Sequence, residues 1–168
     1  FTIEAYLNID TLDLSSTPIV AGHFNSTGDQ RAWFLAIAPT SGRLRLALSD
    51  DGTAAEVITS ALAIEAGKDY YLAAAVNVAD TSSDGIIFYL QDLTDGGPLL
   101  SENQSHDIDM LHNSTALFAI GSQGRSGGGN FFPGIIDEVR FSNVMLSPDQ
   151  LLVIPEPGTW LLLAFGSL

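Results

Sequence analysis

Hydrophobic and polar residues alternate along most of the chain. At the start, Phe1, Ile3, Ala5, Leu7 and Ile9 alternate with Thr2, Glu4, Tyr6 and Asn8. A period of two residues is that of a β-strand with one buried face. Further stretches of strand character follow, with turn residues between them: TPIVAGHF, RAWFLAIA, RLRLALS, KDYYLAAAVNV, GIIFYLQD, ALFAIGS and GIIDEVRFS. The pattern therefore predicts strands throughout most of the chain.

Helical periodicity is nearly absent. Residues 54–67 are ambiguous, but the β-branched residues 57–59 favour two short strands there. One helical turn is predicted near residues 147–152, where Ser147 suits an N-cap, Pro148 the first position and Gln150 a capping box. Many short strands without crossover helices predict an all-β fold, a two-sheet antiparallel β-sandwich over residues 1–152.

Composition narrows the classes of function. The 168 residues suit one domain and carry 6 Lys and Arg against 20 Asp and Glu, a net charge of −14. Such a surface repels nucleic acid phosphates, so no nucleic acid partner is expected. Cysteine is absent, which excludes disulfides and thiolate metal sites within this sequence. Because the alternating strand pattern begins at Phe1 itself, we expect the N-terminus of the natural protein to lie upstream.

Residues 131–147, FFPGIIDEVRFSNVMLS, contain a carboxylate within an apolar pattern. Strict alternation places Asp137 on one face with Ile135, Val139 and Phe141, which predicts that it is buried. A buried carboxylate is costly unless it is paired, hydrogen-bonded or bound to a metal. We therefore predict that Asp137 is paired, accepts hydrogen bonds from backbone N–H groups, or binds a metal ion.

Three segments, residues 1–7, 67–76 and 131–151, resemble the start, middle and end of laminin G-like, or concanavalin A-like, sandwich domains. The resemblance implies a jelly roll. Related domains often place a calcium ligand in the last strand, so the resemblance, together with the position of Asp137 on the apolar face, implies that Asp137 helps to hold a structural calcium ion. This fold hosts lectins, adhesion modules, glucanases and structural modules, so it does not specify one function.

Two branches of this superfamily have recognisable site residues. The pentraxin loop that supplies Glu-Gln-Asp to two calcium ions aligns with Gln123, Gly124 and Arg125, which lack the carboxylates that calcium prefers. The glucanase motif Glu-x-Asp-x-(x)-Glu is matched neither at residues 107–109 nor at residues 137–138. No catalytic residue is therefore predicted, and an enzyme is not expected.

Aromatic side chains are candidates for stacking on sugar rings, but most of them lie within strong strand patterns, which favours core packing instead. They are Tyr6, Trp33, Tyr70, Tyr71 and Tyr89. The residues of a ligand site stay unknown at this point.

The chain ends in VIPEPGTWLLLAFGSL, residues 153–168. Pro155 and Pro157 disfavour a central strand, and the apolar run from Trp160 is shorter than the roughly 20 residues of a membrane span. Pro155, Glu156 and Pro157 resemble the PEP-CTERM sorting signal of Gram-negative bacteria, and we expect that the sequence stops before the helix of this signal ends. The resemblance implies export, transient membrane anchoring, processing by an exosortase-type enzyme, and release to the cell envelope or an extracellular matrix.

Together these features predict a secreted or surface-anchored bacterial binding or adhesion module with a polysaccharide or matrix component as its partner. A purely structural extracellular module and a glycoside hydrolase are the alternatives.

Overall fold

The computed structural model describes residues 1–152, which form ten β-strands and one 3₁₀ turn, Pro148–Gln150. The strands are β1 Thr2–Ile9, β2 Ile19–Asn25, β3 Gln30–Ile37, β4 Arg43–Leu48, β5 Glu56–Ala63, β6 Asp69–Val76, β7 Ile86–Asp92, β8 Leu100–Gln104, β9 Phe118–Ile120 and β10 Gly134–Ser142. The predicted all-β fold, with a single turn of helix after Ser147, is confirmed for these residues. None of their helical segments has the length and apolar character needed to cross a bilayer.

Two antiparallel sheets of five strands pack against each other. The β1 sheet has the order β10-β1-β6-β7-β8, and the β3 sheet has the order β5-β4-β3-β2-β9. Strand alternation decides which side chains fill the space between them. Ile3 of β1 and Leu44, Leu46 and Leu48 of β4 are all 0% exposed, in agreement with the predicted apolar faces.

Two strand predictions need correction. Residues 54–67 were expected to form two short strands, but they contain one strand, β5, whose pairing with β4 shifts register between Arg43 and Arg45. This irregularity lets a single strand continue where the sequence pattern breaks. Strand β8 was not predicted, because its residues are exposed or half-buried and show no apolar face.

A β-bulge in β10 overturns the predicted orientation of Asp137. Glu4 pairs with Arg140, but Tyr6 pairs with Asp137, so β10 contains one extra residue at this point. Glu138 adopts a φ of 47° there. The bulge reverses the alternation, so that Val139 packs on the core while Asp137 is exposed on the outer face of the β1 sheet.

Residues 143–152, the C-terminal strap, cover part of that outer face. Leu146 and Leu151 of the strap, both 9% exposed, form a second apolar cluster with Tyr71 and Tyr89 of the sheet. The strap is also held at Thr2, whose hydroxyl donates to the Val144 carbonyl at 2.9 Å and accepts from the Leu146 amide at 2.8 Å.

Glu4, which is 0% exposed, anchors the end of the strap. Its carboxylate accepts hydrogen bonds from the Tyr71 hydroxyl at 2.7 Å, Arg140 Nε at 2.6 Å and the Leu152 amide at 2.7 Å. Arg140 also donates to the Gln150 carbonyl at 2.6 Å. A buried carboxylate with this many donors is well satisfied, so Glu4 fixes the path of the chain up to residue 152.

Residues 153–168 lie outside the described part of the chain, and with them the predicted sorting signal Pro155, Glu156 and Pro157. That signal stays a prediction.

Candidate functional site

A pocket of about 280 Å³ opens on the outer face of the β1 sheet, beside the end of the strap. This outer-face pocket is lined by Tyr6, Leu7, Asn8, Asp69, Tyr70, Leu93, Ile135 and Asp137. It combines an aromatic ring, apolar side chains, an amide and two carboxylates, which is a mixture typical of a site for a polar ligand with an apolar face.

Strand register brings these residues together. Asn8 of β1 lies opposite Asp69 of β6 on one side and Ile135 of β10 on the other, and Tyr6 lies opposite both Tyr71 and Asp137. The side chains of Leu7 and Tyr70 belong to the core, so the sheet backbone forms the floor of the pocket. A site built on paired strands is more rigid than one built on loops.

The polar groups of the pocket are partly preorganised. Asn8 Nδ2 donates to Asp69 Oδ1 at 2.7 Å, and Asp137 Oδ1 accepts from the Glu138 amide at 2.8 Å. Among residues 1–152, the second oxygen of each of these carboxylates has no hydrogen-bond partner. Each can therefore accept hydrogen bonds from a ligand.

Tyr6 and Ile135 provide the apolar wall. The half-buried Tyr6 hydroxyl donates to the Leu152 carbonyl, and the ring lies 5.4 Å from that of Tyr71. Burial raises the pKa of Tyr6, and the charges of Glu138 and Glu4 add to this, so the hydroxyl stays a donor at neutral pH. The hydroxyl is used by the strap, so the ring is what a ligand meets, next to the 67% exposed side chain of Ile135.

Asp137, which is predicted to hold calcium, is one of the residues that line this pocket. Within residues 1–152, no three His, Cys, Asp or Glu side chains are placed to hold a metal ion. Calcium takes 6–8 oxygen ligands. The described side chains therefore supply only part of a calcium site, and the ion at Asp137 stays a prediction.

Most of the aromatic candidates pack in the core. Trp33, Tyr70, Tyr71 and Tyr89 are each at most 5% exposed. Of the aromatic residues considered for sugar stacking, only Tyr6 is partly accessible, and alternation had already placed it on the same face as Asn8. Asn8, Asp69 and Ile135 were not predicted, since their proximity depends on the pairing of three strands distant in sequence.

A second opening lies between the free edges of the two sheets. This aromatic opening, about 350 Å³, is lined by His23, Trp33, Phe118 and Phe141. Trp33 stacks on Phe141 with ring centroids 5.4 Å apart, and Phe118 and Phe141 remain 49% and 47% exposed. Because it offers few polar groups to orient a hydroxylated ligand, it is a weaker site for a sugar than the outer-face pocket.

The loop compared with pentraxins has a structural role. Gln123, 8% exposed, accepts from the Ser26 hydroxyl at 3.1 Å and donates to Asn130 Oδ1 at 2.7 Å. Both the oxygen and the nitrogen of its side-chain amide therefore form hydrogen bonds within the protein.

The fold is similar to that of several solved structures, two of which are complexes of one carbohydrate-binding module with a glycan. The CBM40 of the Ruminococcus gnavus IT-sialidase bound to α2,3-sialyllactose matches 89% of this chain and 78% of its own, with TM-score 0.57 and 18% identity. Its complex with α2,6-sialyllactose gives TM-score 0.55 at 18% identity, covering 89% and 79% of the two chains.

A native heptameric SAP-like pentraxin from Limulus polyphemus matches with TM-score 0.50 and 12% identity, covering 87% of this chain and 64% of that one. At these identities the likeness shows the fold alone. No curated protein matches the sequence.

The family model for the concanavalin A-like lectin/glucanases superfamily, in its laminin G-like form, matches residues 1–152. The chain therefore belongs to the laminin G-like family of concanavalin A-like sandwich domains.

Proposed function

We propose that this domain is a non-catalytic carbohydrate-binding module that works outside the cell and holds its glycan in the outer-face pocket. The observation that carries the proposal is the combination, on one rigid sheet face, of the Tyr6 ring, exposed Ile135 and the carboxylates of Asp69 and Asp137.

The physical argument follows from the chemistry of sugars. A pyranose ring has an apolar C–H face and a rim of hydroxyl groups. The Tyr6 ring and Ile135 can pack against the apolar C–H face. The free carboxylate oxygens of Asp69 and Asp137 can accept charge-assisted hydrogen bonds from the hydroxyl groups. The sheet holds these groups before the ligand arrives, which reduces the entropy cost of binding.

Family membership and the named neighbours support this class of function. The superfamily includes lectins, and a structural neighbour is a carbohydrate-binding module bound to sialyllactose. The sequence lacks the Glu-x-Asp-x-(x)-Glu spacing of the glucanase branch, which supports a binding role without catalysis.

The experiment is a glycan array followed by calorimetric titration, with Ile135→Ser as the test variant. Ile135 is 67% exposed, so its replacement should leave the fold intact while weakening glycan binding by about fivefold to tenfold. Val57→Ser, at a 50% exposed position of β5 outside the pocket, is the matched control.

Absence of binding to any glycan would favour the alternative, a structural extracellular module. Hydrolysis of a β-glucan by the purified protein would instead favour the hydrolase.

We also propose that the protein is exported by a Gram-negative bacterium and sorted through residues 153–168. The sequence Pro155-Glu156-Pro157 followed by an apolar run supports this proposal. A strain carrying the full gene without this tail should export the protein but fail to process and retain it. Normal processing and retention without the tail would refute the sorting role.

A further inference from the structure

We infer that the outer-face pocket selects uncharged glycans and rejects sialylated and other acidic ones. This inference rests on the proposed function and adds the class of ligand. Its basis is the charge balance of the pocket in the calcium-free protein, where the lining residues within 1–152 include two carboxylates and no Lys or Arg.

The negative groups come from two strands that flank the same floor. Asp69 on β6 and Asp137 on β10 both line the pocket and are both exposed. Glu138 lies close enough to raise the pKa of the Tyr6 hydroxyl by its charge. A ligand carboxylate entering here would meet two or three like charges at short range.

The cations of the protein offset this charge only in part, through Arg140, whose charge acts on the pKa of Tyr6 in the opposite direction to that of Glu138. All six lysines and arginines lie within residues 1–152, and none lines the pocket. Lys68, adjacent in sequence to Asp69, contacts Asp92 and Asp95 at 3.5 and 2.8 Å.

Arg140, the basic residue nearest to Tyr6 in the β10 pairing, is bound to buried Glu4 and to the Gln150 carbonyl. Moving it toward a ligand would leave Glu4 buried without its partner, which is costly. The net charge of −14 adds a long-range repulsion of the same sign.

Hydroxyl groups complement the pocket. Ionised carboxylates only accept hydrogen bonds, so the matching ligand groups are donors. Neutral hexose units present several hydroxyl donors and no charge. The pocket chemistry thus differs from what a sialic acid carboxylate requires, although one structural neighbour, the CBM40 module, is bound to sialyllactose in two solved structures.

The test uses a glycan array that pairs each neutral oligosaccharide with its sialylated counterpart, including lactose with α2,3- and α2,6-sialyllactose. Hits are then titrated at low salt and at about 0.3 M salt, where exposed charges are largely screened. Asp69→Asn and Asp137→Asn are the pocket variants. Asp109→Asn is the control, since it removes one charge at an exposed position outside the pocket. Melting curves check that all variants fold.

We expect neutral glycans to bind at least about tenfold more tightly than their sialylated counterparts at low salt. High salt and either pocket variant should reduce this ratio, and Asp109→Asn should not. Equal or tighter binding of sialylated glycans would overturn the inference and leave carbohydrate binding intact. A ratio that responds to Asp109→Asn as it does to the pocket variants would overturn the assignment to this pocket. Binding to no glycan at all would overturn the proposed function and the inference with it.

Discussion

Replacing Glu4 with glutamine would test how the strap is held on the outer face of the β1 sheet. Glutamine has nearly the same shape, so the change removes the charge without creating a cavity. It also places an amide NH₂ among groups that donate, namely Tyr71, Arg140 and the Leu152 amide. At least one of these donors loses its acceptor.

The magnitude follows from burial. Removing one partner of a buried ion pair costs about 3–5 kcal/mol. The Arg140 side chain is 36% exposed, so water recovers part of that loss, and glutamine still offers one acceptor oxygen. We therefore expect the free energy of unfolding to fall by about 3 kcal/mol. For a domain of this size that corresponds to a Tm lower by about 6–12 °C.

Urea denaturation at neutral pH would measure the loss, and hydrogen exchange would locate it. The amides of Leu146 and Leu152 should lose more protection than those of β4, because the strap loosens before the sandwich opens. Glu65→Gln is the matched control: Glu65 is 72% exposed and pairs with Lys68 at 3.3 Å, so water replaces what is lost. If Glu4→Gln costs less than about 1 kcal/mol, or no more than the control, the network does not stabilise the strap as described.

Three further predictions concern the tail, the metal and the tyrosines. Deletion of residues 155–168 should change the free energy of unfolding by less than about 0.5 kcal/mol in urea melts, and a loss of several kcal/mol would show that the tail belongs to the core. If Asp137 holds calcium, a 100-fold excess of the ion over its Kd should stabilise the protein by about 2.7 kcal/mol, and Asp137→Asn should remove the effect. Identical melting curves in calcium and in chelator would contradict the calcium site. Burial raises the pKa of each tyrosine above its ordinary value of 10.0, so the unfolded state ionises first and stability, full below pH 10, should fall as the pH rises beyond it. Absorbance of tyrosinate should then rise together with the loss of circular dichroism. Titration of several tyrosines near pH 10 in a protein that is still folded would contradict this.

The candidate site was only partly accessible to sequence reasoning. Tyr6 and Asp137 were both recognised as chemically notable, but as separate features. Their pairing across β1 and β10, and the approach of Asp69 from β6, depend on contacts between residues more than sixty positions apart. No local pattern encodes such a register.

The sequence by itself determined the class of fold and most of the strands. Alternation with a period of two reports which side chains can share a buried face, and burial of that face is the main driving force of the sandwich. For this reason Ile3 of β1 and Leu46 of β4 lie in the core as predicted.

Only the tertiary structure decided where two acidic residues lie. Strict alternation places Asp137 on the apolar face, but the bulge at Glu138 turns it outward. Glu4 sits on the polar side of the β1 alternation, yet it is completely buried because the strap covers that side. Alternation distinguishes the two faces of a strand, but which faces are covered depends on where distant segments pack, and that is settled by the fold as a whole.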